Sequence, residues 1–221
     1  MNHLAEHTVP GLHTSIAEVV LNLTSLRYDS RILDLGAGSG AFLNRLAGLG
    51  FYHLWGIDIT PSTPMNSNIN FLKMDLEHPN PAIIDGQFEL ITAIEVVEHI
   101  ENIGNLMDFI SLKLSFGGHL LLTTPNIYSM TCRARFLIRG SLKGFDSKGD
   151  RTHLFPVCIH TFQRCLKKRG LSILSLWTYP KHGSSLVATR KLILLSNFLA
   201  IFLRNPHLGD RLCMLIGHNK S

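Results

Sequence analysis

Ile16, Val19, Val20, Leu23 and Leu26 recur at helical spacing behind Thr14 and Ser15, residue types that cap helices, so the pattern predicts an amphipathic helix over 14–26. The period then changes. Arg31-Ile-Leu-Asp-Leu35 is a short apolar run that reads as a strand, Gly36-Ala-Gly-Ser-Gly40 follows it, and 41–48 returns to helical spacing and stops on a glycine. Further strands are predicted over 54–57, 70–74, 88–94 and 117–124, with a helix over 96–114 before the last of these. A loop-rich stretch runs from Pro125 to Pro156. After it the pattern predicts a helix over 160–169, a strand over 171–177, an apolar helix over 186–204 and a final strand over 211–216.

Strands alternating with helices at these intervals imply βαβ units, hence an α/β fold with a doubly wound, mostly parallel sheet. Such sheets bind ligands outside the carboxyl ends of their strands, which is where the glycine-rich loop after the first strand would stand. With 221 residues, 45% of them hydrophobic and 17% charged, the chain suits a single domain over 1–221 and excludes general disorder. Its predicted parts are an N-terminal helical segment at 1–29, a basic insertion at 126–158 and an apolar helical insertion at 180–209. Cys132, Cys158, Cys165 and Cys213 form no CxxC pair and no dense framework, so a reducing, cytoplasmic setting is expected. The opening residues carry no basic and apolar leader pattern. Mean hydropathy is slightly positive at +0.17, consistent with some apolar surface being covered by a partner or a membrane face. The longest apolar stretch, 192–203, is interrupted by Ser196 and Asn197 and is too short to span a bilayer, which takes roughly 20 residues. The segment 186–203, with Arg190, Lys191 and Arg204, suits either a helix lying in a membrane interface or a helix covering the sheet.

Charge divides the chain. Residues 1–125 hold 5 Lys/Arg against 13 Asp/Glu, net −8, whereas residues 126–221 hold 16 against 3, net +13. This bears on the ligand of the glycine loop. Gly36-Ala-Gly-Ser-Gly-Ala41 satisfies the relaxed GxGxxA form of a dinucleotide fingerprint, and Asp58 stands where a carboxylate would meet an NAD ribose. However, Asp34, Asp58, Asp75 and Glu95 all fall at or near strand ends on the binding edge. Four carboxylates repel a pyrophosphate and attract a sulfonium and an ammonium group.

Ile32-Leu-Asp-Leu-Gly-Ala-Gly-Ser-Gly40, Gly56-Ile-Asp58, Met74-Asp75-Leu76, the segment 88–99 and Gly117-Gly-His-Leu-Leu-Leu-Thr-Thr-Pro-Asn126 together resemble the ordered motifs of class I S-adenosylmethionine-dependent methyltransferases. The match covers roughly 30–126, and five motifs in order are far more specific than any one. The resemblance implies a seven-stranded Rossmann-like sheet with an antiparallel last strand, a place 211–216 can fill. It further implies that Gly36, Gly38 and Gly40 approach the methionine part, Asp58 holds the ribose hydroxyls, and Asp75 meets the adenine amino group beside Leu76. Asp34 would position the loop or the ammonium group. Glu95 belongs to the same cofactor-facing edge. The structural alternatives are a plain turn for the glycine loop and a helix cap for Asp75.

Glu95-Val-Val-Glu98-His99 opens the helix predicted after the fourth strand, where positions i, i+3 and i+4 share one face. Two carboxylates and an imidazole so placed suit a divalent metal. Similar strings occur in ubiquinone-biosynthesis O-methyltransferases and in the 2′-O-methyltransferases of small-RNA 3′ ends, which resemblance makes Glu95, Glu98, His99 and the distal His153 candidate ligands. The alternatives are first-turn acids favoured by the helix dipole, and His99 or His153 acting as a general base on an acceptor hydroxyl.

Arg133, Arg135, Arg139, Lys143, Lys148 and Arg151 stand against only Asp146 and Asp150 in the stretch after the fifth strand, which points to a small or glycan-like anionic acceptor. Segments 126–140 and 152–156 also look, more loosely, like methyltransferases of polysaccharide biosynthesis. Tyr128, Phe136 and Phe145 are the only aromatics interleaved with this charge, too few for a stacking platform on nucleic acid. The expected activity is therefore S-adenosylmethionine-dependent O-methylation. RNA 2′-O-methylation with a metal, NAD-dependent oxidoreduction and a non-catalytic cofactor-binding subunit stay open at this point.

Overall fold

The structure is a computed structural model describing residues 8–60, 69–147, 149–181, 185–186, 188–190, 193–196, 198 and 209–219. Its strands are β1 (Arg31–Leu35), β2 (His53–Asp58), β3 (Ile69–Lys73), β4 (Phe88–Ile94), β5 (Leu114–Pro125), β6 (Leu171–Tyr179) and β7 (Arg211–His218). They form one seven-stranded sheet in the order β3-β2-β1-β4-β5-β7-β6. The first five strands pair in parallel, and β7 lies antiparallel to both β5 and β6. The α/β class, the parallel core and the antiparallel last strand expected from the sequence are all present.

Side-chain alternation decides where each helix packs, because successive residues of a strand face opposite sides of the sheet. Leu33 and Leu35 of β1, Ile91 and Ala93 of β4, and Leu120 and Leu122 of β5 pack beneath α3 (Ile103–Lys113) and α5 (Ile159–Lys167). Ile32, Leu90 and Leu121 face the other way, into the layer made by α1 (Leu12–Leu21) and α2 (Ala41–Gly48). Both faces are thus covered, which is why the inner strands read as continuous apolar runs.

Three local expectations are corrected. First, α1 begins at Leu12 behind Gly11, at φ 79, so Thr14 and Ser15 lie inside the helix and do not cap it. It ends at Leu21. Leu23 and Leu26 are apolar because they still pack on the same core from the following turns. Second, the helix predicted over 96–114 is divided into a single 3₁₀ turn, Val97–His99, and α3. Ile100 is extended, and Asn102 caps α3 by accepting from the Asn105 amide at 3.2 Å. Third, the stretch read as loop-rich contains α4 (Met130–Arg139), capped by the Ser129 hydroxyl on the Cys132 amide at 3.2 Å and ended by Gly140 at φ 66. Its apolar Phe136, Leu137 and Ile138 lie off the buried face, among the exposed Arg133 and Arg139.

Much of the apolar helix predicted over 186–204 lies outside the described residues, as do Lys148 and residues 1–7. Among the described residues no helix is long and apolar enough to cross a membrane.

Candidate active site

The parallel register brings the carboxyl ends of β1, β2, β4 and β5 to one edge of the sheet. Because β7 runs the opposite way, its first residue, Arg211, pairs with Pro125 at the end of β5 and arrives at that same edge. Two cavities open there and share Glu95 and His99 as a common wall.

The first cavity, about 380 Å³, lies over β1 and β2 and is lined by Gly36, Asp58, Asp75, Leu76 and Glu77 in addition to the shared residues. Among the described residues no lysine or arginine lines it. The loop that borders it is built on three glycines with positive φ: 68 at Gly36, 50 at Gly38 and 74 at Gly40. A Cβ on Gly36 would stand 2.6 Å from Val96, and one on Gly40 2.7 Å from Phe71, so these two are held by packing. A Cβ on Gly38 would meet nothing within 4 Å, which leaves its backbone accessible to a ligand. Asp58 ties the loop to β2, accepting from the Gly38 amide at 2.8 Å and, on its other oxygen, from the Thr60 amide at 2.9 Å. Asp75 accepts from the Glu77 amide at 2.9 Å and is exposed.

Asp34 sits beneath the loop and not in this cavity. It lines a small crevice with Thr8, His13 and Phe42, and the Thr92 hydroxyl donates to it at 2.6 Å. Burial, with a smaller push from Asp58 and against the Thr92 hydrogen bond, raises its pKa to about 7.

The second cavity, about 400 Å³, is walled by Asn126, Ser129, Lys143, Asp146, Asp150 and His153 on one side and by Asp210 and Arg211 on the other. Among the described residues, each arginine or lysine that lines it has a carboxylate. Arg135 pairs with Asp146, Lys143 with Asp210 at 3.2 Å, and Arg211 with Glu95. The basic excess of this half of the chain therefore does not appear as free charge inside the cavity. Arg133, Arg139 and Arg151 are exposed on its exterior. Asn126 holds the two walls together, its side-chain amide donating to the Gly209 carbonyl at 2.7 Å and its backbone amide to that of Asp210 at 2.9 Å.

His99 and His153 meet where the cavities join. The amides of Leu154 and Phe155 donate to the Glu98 carbonyl at 2.7 and 3.2 Å, which lays this segment against the 3₁₀ turn. The ring centroids come within 4.8 Å. His99 Nδ1 is 3.0 Å from the Thr152 carbonyl and His153 Nδ1 2.9 Å from that of Gly144. A carbonyl only accepts, so both Nδ1 atoms carry a proton, and in the neutral tautomer that this fixes the lone pair is on Nε2. Burial lowers the His153 pKa, a shift that the Gly144 hydrogen bond opposes and the neighbouring His99 reinforces.

Glu98 is fully buried, and neither carboxylate oxygen completes a hydrogen bond. Burial, followed by the charge of Glu95, pushes its carboxyl well above the usual range. Ligating atoms of Glu98, His99 and His153 lie within 4.8 Å of one another. Glu95 is not with them. The expected helical face does not form because Glu95 sits at φ 56 before the 3₁₀ turn, and its carboxylate accepts from Arg211 and from the Thr123 hydroxyl at 3.0 Å. Of the four candidate ligands the fold gathers three. Asp210 and Arg211 escaped the sequence reading, and their one signal was a charged pair directly before an apolar strand.

Over residues 7–176 the chain matches a family model described as a methyltransferase domain. It is 24% identical over 112 residues to the mitochondrial ubiquinone biosynthesis O-methyltransferase of Dictyostelium discoideum, covering 43% of this chain and 35% of that protein. It is 27% identical over 134 residues to the ribosomal protein L11 methyltransferase of Geobacter sulfurreducens, covering 59% and 42%. The chain thus spans well under half the length of these two relatives. In fold it is similar to a SAM-dependent methyltransferase from Archaeoglobus fulgidus, with a TM-score of 0.58 at 18% identity, covering 94% of each chain.

Proposed function

The chain belongs to the methyltransferase-domain family, and from that premise we propose that it moves a methyl group from S-adenosylmethionine to a hydroxyl oxygen of a small, glycan-like acceptor. One observation carries this reading. A cavity lined by Asp58, Asp75, Glu77 and Glu95 and by no cation among the described residues shares a wall with a second, polar cavity. The first suits a ligand that carries cations and lacks phosphate, and so speaks against NAD. Gly38, with open space around it, and Asp58, at the end of β2, are the groups that would hold such a ligand. S-adenosylmethionine supplies a sulfonium-bound methyl group with a neutral thioether as leaving group.

The chain's own contribution is position and proton removal. An acceptor in the second cavity has its hydroxyl held in line at about 3 Å, which supplies much of the acceleration of a displacement. The C–O bond forms as the C–S bond breaks, and the hydroxyl proton passes to the Nε2 lone pair of His99 or His153. An oxygen acceptor is favoured because a neutral hydroxyl gains most from such a base, and the name of the Dictyostelium relative agrees. Paired charges in the cavity suit hydroxyl groups, whereas an anionic part of the acceptor would meet Arg133, Arg139 or Arg151 outside it.

The unpartnered Glu98 carboxylate beside two imidazoles with free Nε2 atoms favours a second reading of the same residues. Glu98, His99 and His153 would hold a divalent cation, after closing to the roughly 3.4 Å between ligand atoms of a tetrahedral site. A bound cation would make an acceptor hydroxyl more acidic. Titration with Mn²⁺ or Zn²⁺ separates the two readings: binding that Glu98→Gln abolishes selects the metal, and no binding leaves the imidazoles as bases.

The cofactor reading is tested by calorimetric titration with S-adenosylhomocysteine and with NAD. Micromolar binding of the former alone, weakened roughly 30-fold or more in Asp58→Ala, is the expected result. Binding of NAD alone, or an unchanged affinity in the variant, overturns it.

A further inference from the structure

The last turn of α4 departs from the pattern of α1, α2, α3 and α5, none of which exposes three consecutive large apolar residues. Its first half is buried through Met130, Thr131, Cys132 and Ala134, and Ser129 and Arg135 line the acceptor cavity. Its second half stands clear of the body. Phe136, Leu137 and Ile138 are 54, 75 and 62% exposed, and Arg139 and Gly140 are exposed after them. Three consecutive residues on a helix sweep about 200° of its circumference. They form no narrow stripe of the i, i+3, i+4 kind that a protein groove accepts. They form an apolar tip.

Arg133 and Arg139 flank this tip, and Arg151 is exposed farther along the same cavity-bordering stretch. None of the three has an ion pair among the described residues. Of the two carboxylates in the stretch, Asp146 is taken by Arg135, and the exposed Asp150 accepts from Thr152. A second exposed apolar residue, Leu186, stands 52% accessible beside the cavity. Its amide donates to Asp210 at 2.6 Å, next to Ser185, whose hydroxyl is 3.2 Å from Lys143 Nζ. Apolar side chains fringed by uncommitted guanidinium groups fit a surface that is anionic at its face and apolar just beneath. A nucleic acid would satisfy the charge and leave the tip in water.

We propose that the tip of α4 docks on an anionic phospholipid bilayer, seating the mouth of the acceptor cavity among the headgroups. That the cavity then receives an acceptor carried in the membrane rests on the methyltransferase reading above. The docking itself does not.

Vesicle flotation tests it, with the whole chain mixed with vesicles of phosphatidylglycerol and phosphatidylcholine or of phosphatidylcholine alone. The protein is expected to float with the anionic vesicles only. The floated fraction should fall roughly tenfold in Phe136→Ser/Leu137→Ser/Ile138→Ser and in Arg133→Ser/Arg139→Ser. Both variants change only exposed side chains, and an unchanged circular dichroism spectrum and S-adenosylhomocysteine affinity confirm that they fold. Failure of the unaltered protein to float at low salt overturns the proposal, as does flotation indifferent to both variants. A dimer that the triple variant dissociates in the absence of lipid would assign the tip to a second copy and overturn it equally. Loss of S-adenosylhomocysteine binding by the unaltered protein would fault the methyltransferase reading and leave the docking result standing.

Discussion

The two cavities share Glu95 and His99, yet they hold their charges in opposite ways. Over β1 and β2, carboxylates stand without a cation among the described lining residues. Beneath α4, each described lysine or arginine of the lining is matched: Arg135 by Asp146, Lys143 by Asp210, Arg211 by Glu95. A wall of one sign attracts a ligand of the other, whereas paired charges leave little net field and select by shape and hydrogen bonding. The basic half of the chain thus turns its uncommitted charge outward, not into the site.

This contrast is sharpened most by the imidazoles at the junction. His153→Ala is expected to lower turnover roughly 10²–10⁴-fold while leaving S-adenosylhomocysteine affinity nearly unchanged, because His153 lines the acceptor cavity alone, whereas His99→Ala, in the shared wall, is expected to lower both. Tritium transfer from labelled S-adenosylmethionine reads the first quantity and calorimetry the second. Equal loss of both in His153→Ala would mean that the two cavities do not divide the work.

A smaller effect separates two glycines of the loop that borders the first cavity. Gly36→Ala places a methyl 2.6 Å from Val96 at φ 68 and is expected to cost about 2–4 kcal/mol of stability in urea unfolding. Gly38→Ala, with nothing within 4 Å, should cost about 1–2 kcal/mol for its φ alone and act chiefly on cofactor affinity. The reverse order would show that Gly38 is the packing residue.

The smallest effect is one of pH. Asp34, with a pKa raised to about 7, is largely protonated at pH 6, and from beneath the glycine loop its charge would act on a cationic ligand only once it ionises. Affinity for S-adenosylhomocysteine is expected to rise roughly tenfold from pH 6 to pH 8. Stability of the free protein moves the other way. The folded state holds this proton more tightly than the unfolded chain, so the contribution of Asp34 is full below about 4 and is lost as pH rises through about 7. Melting temperatures with and without ligand across this range check both signs.

The legible part of the molecule is the part built from neighbours in sequence. Residues 31–76 hold one βαβ unit and the strand that follows it, and each site residue there stands at or near the end of a strand marked by its own apolar run. The glycine loop, Asp58 and Asp75 could therefore be placed with no knowledge of packing. Glu98, His99 and His153 were readable as candidates, but their geometry was not. The helical face expected of Glu95, Glu98 and His99 gave way to a left-handed residue and a 3₁₀ turn, because Glu95 is drawn toward Thr123 and Arg211 from other strands.

By itself the sequence determined the α/β class, the binding edge and the acidic character of the cofactor side, since these follow from local periodicity and from residues adjacent to strand ends. Only the tertiary structure decided that Arg211 faces Glu95, that Arg135 and Lys143 are neutralised, and that the apolar tip of α4 is left outside. Ion pairing and burial are properties of residues distant in the chain. No local pattern records which charge will find a partner and which will remain in water.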